Sequence, residues 1–290
     1  MYKQIAANKR NTWLILAGFV VVIASIGCAF SYAFGDWGIA LWVLVGSLLY
    51  ATIQYFFASK IATIMTGAKP ITKKDNPRLY NTIENLSIST GLPMPEVYII
   101  NDPAPNAFAS GRDPKHSIVA ATTGLLDIMD NKELNAVMAH EMSHIKNYDI
   151  RVSTIVFGLV CVIGYITDLG MRMLIFGRNS EERSPVGFII IIITSILAPI
   201  VAAMAQMAVS REREYLADAS SVNITRYPEG MISALKKLDT HAQPMKRQNS
   251  STEALFINNP LKKGKTSNLF STHPPIEKRI ARLENGKKTF

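Results

Sequence analysis

A chain of 290 residues could hold one large domain or two small ones, but 48% apolar and only 18% charged residues is too hydrophobic for either to be wholly water-exposed. The formal net charge of +9 gathers near Lys3, Lys9 and Arg10 and after Ser210, flanking apolar runs, and no aromatic-interleaved basic stripe or groove-reading motif accompanies it, which excludes nucleic acid as the partner. Both cysteines, Cys28 and Cys161, fall inside apolar runs, which excludes a disulfide framework and thiolate metal ligands.

In chain order, Trp13 to Phe34 and Trp37 to Phe57 are uncharged runs, each close to the ~20 residues a helix needs to cross a bilayer. Only Gly35 and Asp36 separate them. They predict an uncleaved transmembrane hairpin behind a basic tail, residues 1–58, since a signal peptide would be shorter and would not be followed at once by a second span. Residues 59–151 read as a soluble α/β segment. Leu79, Ile83 and Leu86 give helical spacing in Asn76 to Thr90, and Gly91 and Pro93 stop that helix. Glu96 to Ile100 is a β-branched and aromatic strand, and Ala107 to Ser110 and Ser117 to Thr122 are two more around a Gly111 to Lys115 turn. The run DNKELNAVMAHEMSHIKN follows as a helix, opened by a capping box of Asp130 and Glu133.

Val152 to Phe176, interrupted by Asp168 and Arg172, and the uncharged Gly187 to Val209 predict a second transmembrane pair, residues 152–209. Residues 210–290 carry helices in REREYLADASSVNI and Pro228 to Asp239, a long loop over Ala242 to Leu269, and a basic closing helix, Ile276 to Leu283. The expected fold is α+β and mainly helical, with four transmembrane helices and a small β-sheet. The positive-inside rule puts residues 59–151 and those after Ser210 in the cytoplasm.

HEMSH at 140–144 places His140 and His144 at i and i+4, on one helix face a turn apart, with Glu141 beside the first. That spacing suits two imidazoles on one zinc, with Glu141 as general base towards the metal's water. A catalytic zinc takes three protein ligands and keeps a position open. No third histidine follows in HExxHxxGxxH spacing, so a glutamate downstream is expected, and EREYLAD offers both Glu212 and Glu214. Spacing alone leaves the two open. Asp218, at i+4 from Glu214, can accept the outer N–H of a ligand histidine. Two crossings between His144 and Glu214 would keep the ligands on one side of the membrane.

HEMSH with SREREYLAD, together with NAFASG (106–111), HIKNYD (144–149), STHPPIEKRI (271–280) and the arrangement of apolar runs, resembles the HtpX-type membrane metalloproteases, gluzincins related to the CAAX prenyl proteases. The resemblance covers nearly the whole chain. It implies one Zn2+ per subunit in a zincin-like domain, with Glu214 as third ligand, Asp218 behind it and His273 stabilising the oxyanion. It further implies that Asn106, Ala107, Phe108 and Ala109 form an edge strand that pairs with extended polypeptide substrates, read by main chain and not side chain. The implied activity is stress-related quality control of misassembled membrane proteins at the cytoplasmic face of the cell inner membrane. A non-enzymatic zinc-stabilised scaffold and a zinc hydrolase acting on lipid are the competing readings.

Overall fold

The computed structural model describes residues 2–160, 211–247, 255–258 and 274–286. The expected second transmembrane pair beyond residue 160, and His273, lie outside the described residues. Two long helices open the chain, α1 (Tyr2–Phe34) and α2 (Gly38–Thr66). The turn between them places Gly35 at φ 70, and the Asp36 carboxylate accepts from Gly38 N at 2.8 Å to start α2. Both helices run past the apolar stretches that specify them, α2 continuing through Lys60 to Thr66. Among the described residues one helix is long and apolar enough to cross a membrane, Ala40–Thr66, and only 11% of its apolar window is buried in the protein.

The sheet has the order β1 (Lys69–Pro70), β2 (Glu96–Ile100), β4 (His116–Thr122), β3 (Ala107–Asp113), with β2 and β4 parallel and β3 antiparallel to β4 at the edge. The β3–β4 turn is tighter than expected. The strands continue to Asp113 and resume at His116, because Gly111 takes φ 147, where any side chain would collide with the His116 carbonyl.

Strand alternation divides the core. Ala107, Ala109, Val119 and Ala121 face helix α5 (Asn131–Lys146), which buries Leu134, Val137, Met138, Met142 and Ile145 among α3 (Pro77–Thr90), α7 (Arg211–Thr225) and α8 (Pro228–Thr240). Between β4 and α5 lies the short α4 (Thr123–Ile128). Phe108, Ile118 and Ala120 face the other way, into a cluster with Ala62 of α2, Phe157 and Phe256. Alanines on the inner face let α5 approach the sheet closely. A further helix, α6 (149–160), packs Val152, Ile155, Val156 and Leu159 on Ile15, Leu16 and Phe19 of α1, and α9 (Ile276–Gly286) closes over α7 and α8.

Candidate metal centre

Helix α5 is fixed at its start by the capping box read from the sequence: Asp130 accepts from Lys132 N and Glu133 N at 2.7 and 2.8 Å, while Glu133 Oε2 accepts from Asp130 N at 2.7 Å. Buried Glu133 also accepts from Ser233 Oγ at 2.6 Å and Lys237 Nζ at 2.7 Å, tying α5 to α8. Burial pushes the Glu133 carboxyl up, but these donors and the Asp130 amide outweigh it and hold it below the ordinary glutamate value.

Two turns on, His140 and His144 point into one cleft with Glu141 and Glu214, lined also by Ala109, Leu255 and Ile257. The Nε2 atoms of the histidines stand 3.1 Å apart, and Glu214 lies 3.7 Å from the first and 3.6 Å from the second. All three donor atoms fall within 4.8 Å of one another. The outer ring nitrogens face carboxylates: His140 Nδ1 is 3.0 Å from Asp218 Oδ1, and His144 Nδ1 is 3.1 Å from Asp149 Oδ2. With protons on Nδ1, both Nε2 atoms turn lone pairs towards each other and an anionic carboxylate, an arrangement that repels itself unless a cation joins it. Metal–ligand bonds of ~2.0–2.2 Å in a tetrahedron separate ligand atoms by about 3.3–3.5 Å. The observed 3.1–3.7 Å brackets that spacing, so the residues present fit a zinc ion.

Each carboxylate behind the histidines is itself held. Arg279 of α9 grips Asp218 with two bonds, Nε at 2.9 Å and Nη2 at 2.7 Å, and places Nη1 3.8 Å from Glu214. Burial raises the Asp218 carboxyl, but Arg279 and His140 overcome it and hold it near 2; burial lowers Arg279, but Asp218, Glu214 and Glu141 raise it overall. Asp149 accepts from Asn8 Nδ2 of α1 at 2.7 Å, and Arg213 Nη1 lies 3.8 Å away. The left-handed Tyr148 (φ 61) makes the bend between α5 and α6 that turns Asp149 back onto His144. Burial depresses His144, yet the bond to Asp149 and the charges of Glu214, Asp149 and Glu141 lift it to about 9, a measure of how strongly this cleft favours positive charge.

Of the two carboxylates left open by spacing, Glu214 is the one beside the histidines; Glu212 is exposed and sits 3.2 Å from Arg282. Asp218 is buried behind His140. Three supports went unread: Arg279, Asn8, and Asp149 as the partner of His144. Asp149 and Arg279 had a signal only in their place inside the runs HIKNYD and IEKRI, and Asn8 had none.

The expected edge strand is the edge of the sheet, but part of it is taken. Asn106 and Thr122 belong to the β4 side of the ladder, so alternation turns the N–H and C=O of Ala107 and Ala109 outward. Ile257 N donates to Ala107 O at 3.0 Å, and Asn106 and Asn258 exchange bonds of 2.8 and 3.1 Å. Further along, Thr154 of α6 accepts from Gly111 N at 3.2 Å. Ala109, beside His140 and Glu141, lies between those engagements, while the Phe108 side chain is buried on the opposite face against Phe256.

Two histidines a helical turn apart, met by a glutamate from a second helix and backed by carboxylates, define the class of metallopeptidases. Residues 73–287 match the model of Peptidase family M48; the chain belongs to this family and is a metalloprotease. It is similar over its full length to a Protease HtpX homologue of Tropheryma whipplei, 56% identical with 100% of each chain covered. A Protease HtpX homologue of Ligilactobacillus salivarius is 45% identical, covering 98% of this chain and 99% of the relative. The crystal structure of S. mikatae Ste24p shares the fold, with TM-score 0.51 and 18% identity over 98% of this chain and 67% of that one.

Proposed function

We propose that the chain is a membrane-anchored zinc endopeptidase, its one zinc held by His140, His144 and Glu214 and its general base Glu141. The convergence of three donor atoms within 4.8 Å, each histidine backed by a carboxylate, carries this reading. Bound there, zinc supplies a Lewis acid that polarises the scissile carbonyl and acidifies water. Glu141, in the same cleft, takes the water's proton onto its carboxylate and delivers it to the leaving amine. Asp218 and Asp149 keep the outer Nδ1 protons in place, so that both Nε2 atoms remain donors to the metal. His273 is the proposed oxyanion donor.

Substrate main chain pairs with the outward N–H and C=O of Ala109, an addition to the sheet edge that tolerates varied side chains. Pairing with Asn106 and Ala107 as well requires residues 255–258 to leave the edge. Main-chain reading suits misfolded or misassembled membrane proteins as substrates. Residues 1–58 and 152–209 anchor the chain in the inner membrane, and residues 59–151 and 210–290 build the site at its cytoplasmic surface. The basic residues Lys9, Arg10 and Lys60 at one end of the α1–α2 hairpin support that orientation.

The test is metal content and casein cleavage for the wild type, Glu141→Gln and Glu214→Ala in detergent. Glu141→Gln is expected to keep zinc and lose cleavage by a factor of about 10² or more. Cleavage retained in Glu141→Gln removes the proposed base, and zinc retained in Glu214→Ala removes the proposed ligand.

A further inference from the structure

A second cavity, of about 520 Å³, opens on the far side of the sheet from the metal centre, between the end of α2, the β3–β4 turn and the start of α6. Its lining is basic. Lys60, Arg112, Lys115 and Arg151 all face it, and the carboxylate in its wall, Glu96, already accepts from Tyr98 Oη at 2.9 Å. Neighbouring Asp113 is engaged by His116 at 2.8 Å and Arg112 at 3.5 Å.

Arg151 is the informative member, because it is only 8% exposed. Its Nε donates to the Arg112 carbonyl, and its guanidinium lies 5.6 and 5.1 Å from the rings of Tyr55 and Tyr148. Among the described residues no carboxylate pairs with it, nor with Lys60 or Lys115. A buried guanidinium ordinarily has an anionic partner, and Arg151 lines a cavity large enough to bring one.

Depth says which anion. Helix Ala40–Thr66 has 27 residues and is ~40 Å long, about 10 Å more than a hydrocarbon core, so its last turns, from about Lys60, reach headgroup level. Trp13 stacked on Tyr55 at 5.5 Å, with Phe56 and Phe57 half exposed, forms an aromatic band just before that level. The cavity therefore opens where phosphates lie, with apolar helix surface on one side and four cations on the other.

We infer that this cavity binds the phosphodiester headgroup of an anionic phospholipid, with Arg151 and Lys60 on the phosphate and the acyl chains along the exposed face of α2. A zwitterionic lipid would set its ammonium against the same cations, so the site discriminates between headgroups. The assignment rests on the reading that α2 crosses the membrane.

Delipidated full-length chain in detergent is titrated with phosphatidylglycerol, phosphatidylcholine of the same acyl chains, and inorganic phosphate, and adducts are counted by native mass spectrometry. One saturable phosphatidylglycerol adduct is expected, about tenfold tighter than phosphatidylcholine and not displaced by millimolar phosphate. Lys60→Glu with Lys115→Glu, both exposed, should weaken it roughly 25-fold, about fivefold per lysine, with casein cleavage unchanged. Equal binding of the two lipids, or phosphatidylglycerol affinity kept in the double variant, overturns the site. Displacement by inorganic phosphate overturns the lipid as its occupant. Flotation with phosphatidylcholine vesicles separates the two readings: a chain that does not float removes both, and one that floats without headgroup preference removes this one alone.

Discussion

The two histidines of the candidate metal centre have the same chemistry but are secured unequally. His140 is 1% exposed and leans on Asp218, which a fully buried arginine from α9 holds by two charged bonds. His144 is 15% exposed and leans on Asp149, which a neutral amide, Asn8 near the start of α1, bonds at 2.7 Å and whose cation, Arg213, stands off at 3.8 Å. One arm is a charge pair sealed between α7 and α9. The other joins the site to the proposed membrane anchor, and it is the softer of the two.

Removing Arg279 should do the most harm. Arg279→Met leaves the Asp218 carboxylate buried without its cation, at a cost of about 3–5 kcal/mol in stability, read as a lowered thermal midpoint. Adding Asp218→Asn removes the stranded charge and should recover much of that loss, but metal affinity should stay low because His140 then lacks an anionic partner. If Arg279→Met melts like the wild type, the sealed arm does not differ from the soft one as described.

Next in size are the carboxylates compared directly. Asp218→Asn and Asp149→Asn should each weaken zinc binding by about 10- to 100-fold, in titrations against a chelator. The loss at Asp218 should be the greater, because its environment is fully dry. Equal losses would mean that burial does not set the strength of this support.

What was legible from sequence follows the same division between local and distant. The HEMSH helix, its capping box and Asp218 depend on residues one turn apart, and spacing carries that information. Arg279 lies 61 residues from Asp218 and Asn8 lies 141 from Asp149, and no periodicity records pairings at such separations. Spacing could not separate Glu212 from Glu214, because both occupy the first turn of α7 and packing decides which carboxylate turns inward, so only the family resemblance pointed to Glu214. Residues 255–258 fell within a stretch read as plain loop. They make a single ladder bond to β3 and so leave no strand pattern to read.

Glu133 tests whether α5 itself needs anchoring beneath both arms. Glu133→Gln should destabilise by about 1–2 kcal/mol at pH 7, since the bonds from Asp130 N, Ser233 Oγ and Lys237 Nζ lose the negative charge of their acceptor. Its folded pKa lies below the ordinary glutamate value of 4.5, so this contribution is complete above pH 4.5 and fades as pH falls through the lowered folded value. Wild type and variant should therefore converge in stability on acidification. A gap that is constant with pH would assign the effect to packing.

The smallest effect is the one most particular to the soft arm. Asn8→Ala removes two donated bonds, 2.7 Å to Asp149 and 2.9 Å to the Asn147 carbonyl, and should weaken zinc binding by roughly fivefold, or about 1 kcal/mol. Because Asn8 reaches His144 only through Asp149, the loss should vanish in an Asp149→Asn background and persist in an Asp218→Asn background. Additive losses at Asn8 and Asp149 would mean that the amide acts on the fold at large, and that α1 does not communicate with the metal through this carboxylate. A coupled result would give the apolar hairpin a second role beside anchorage, because any shift of α1 against α6 would then be felt at His144.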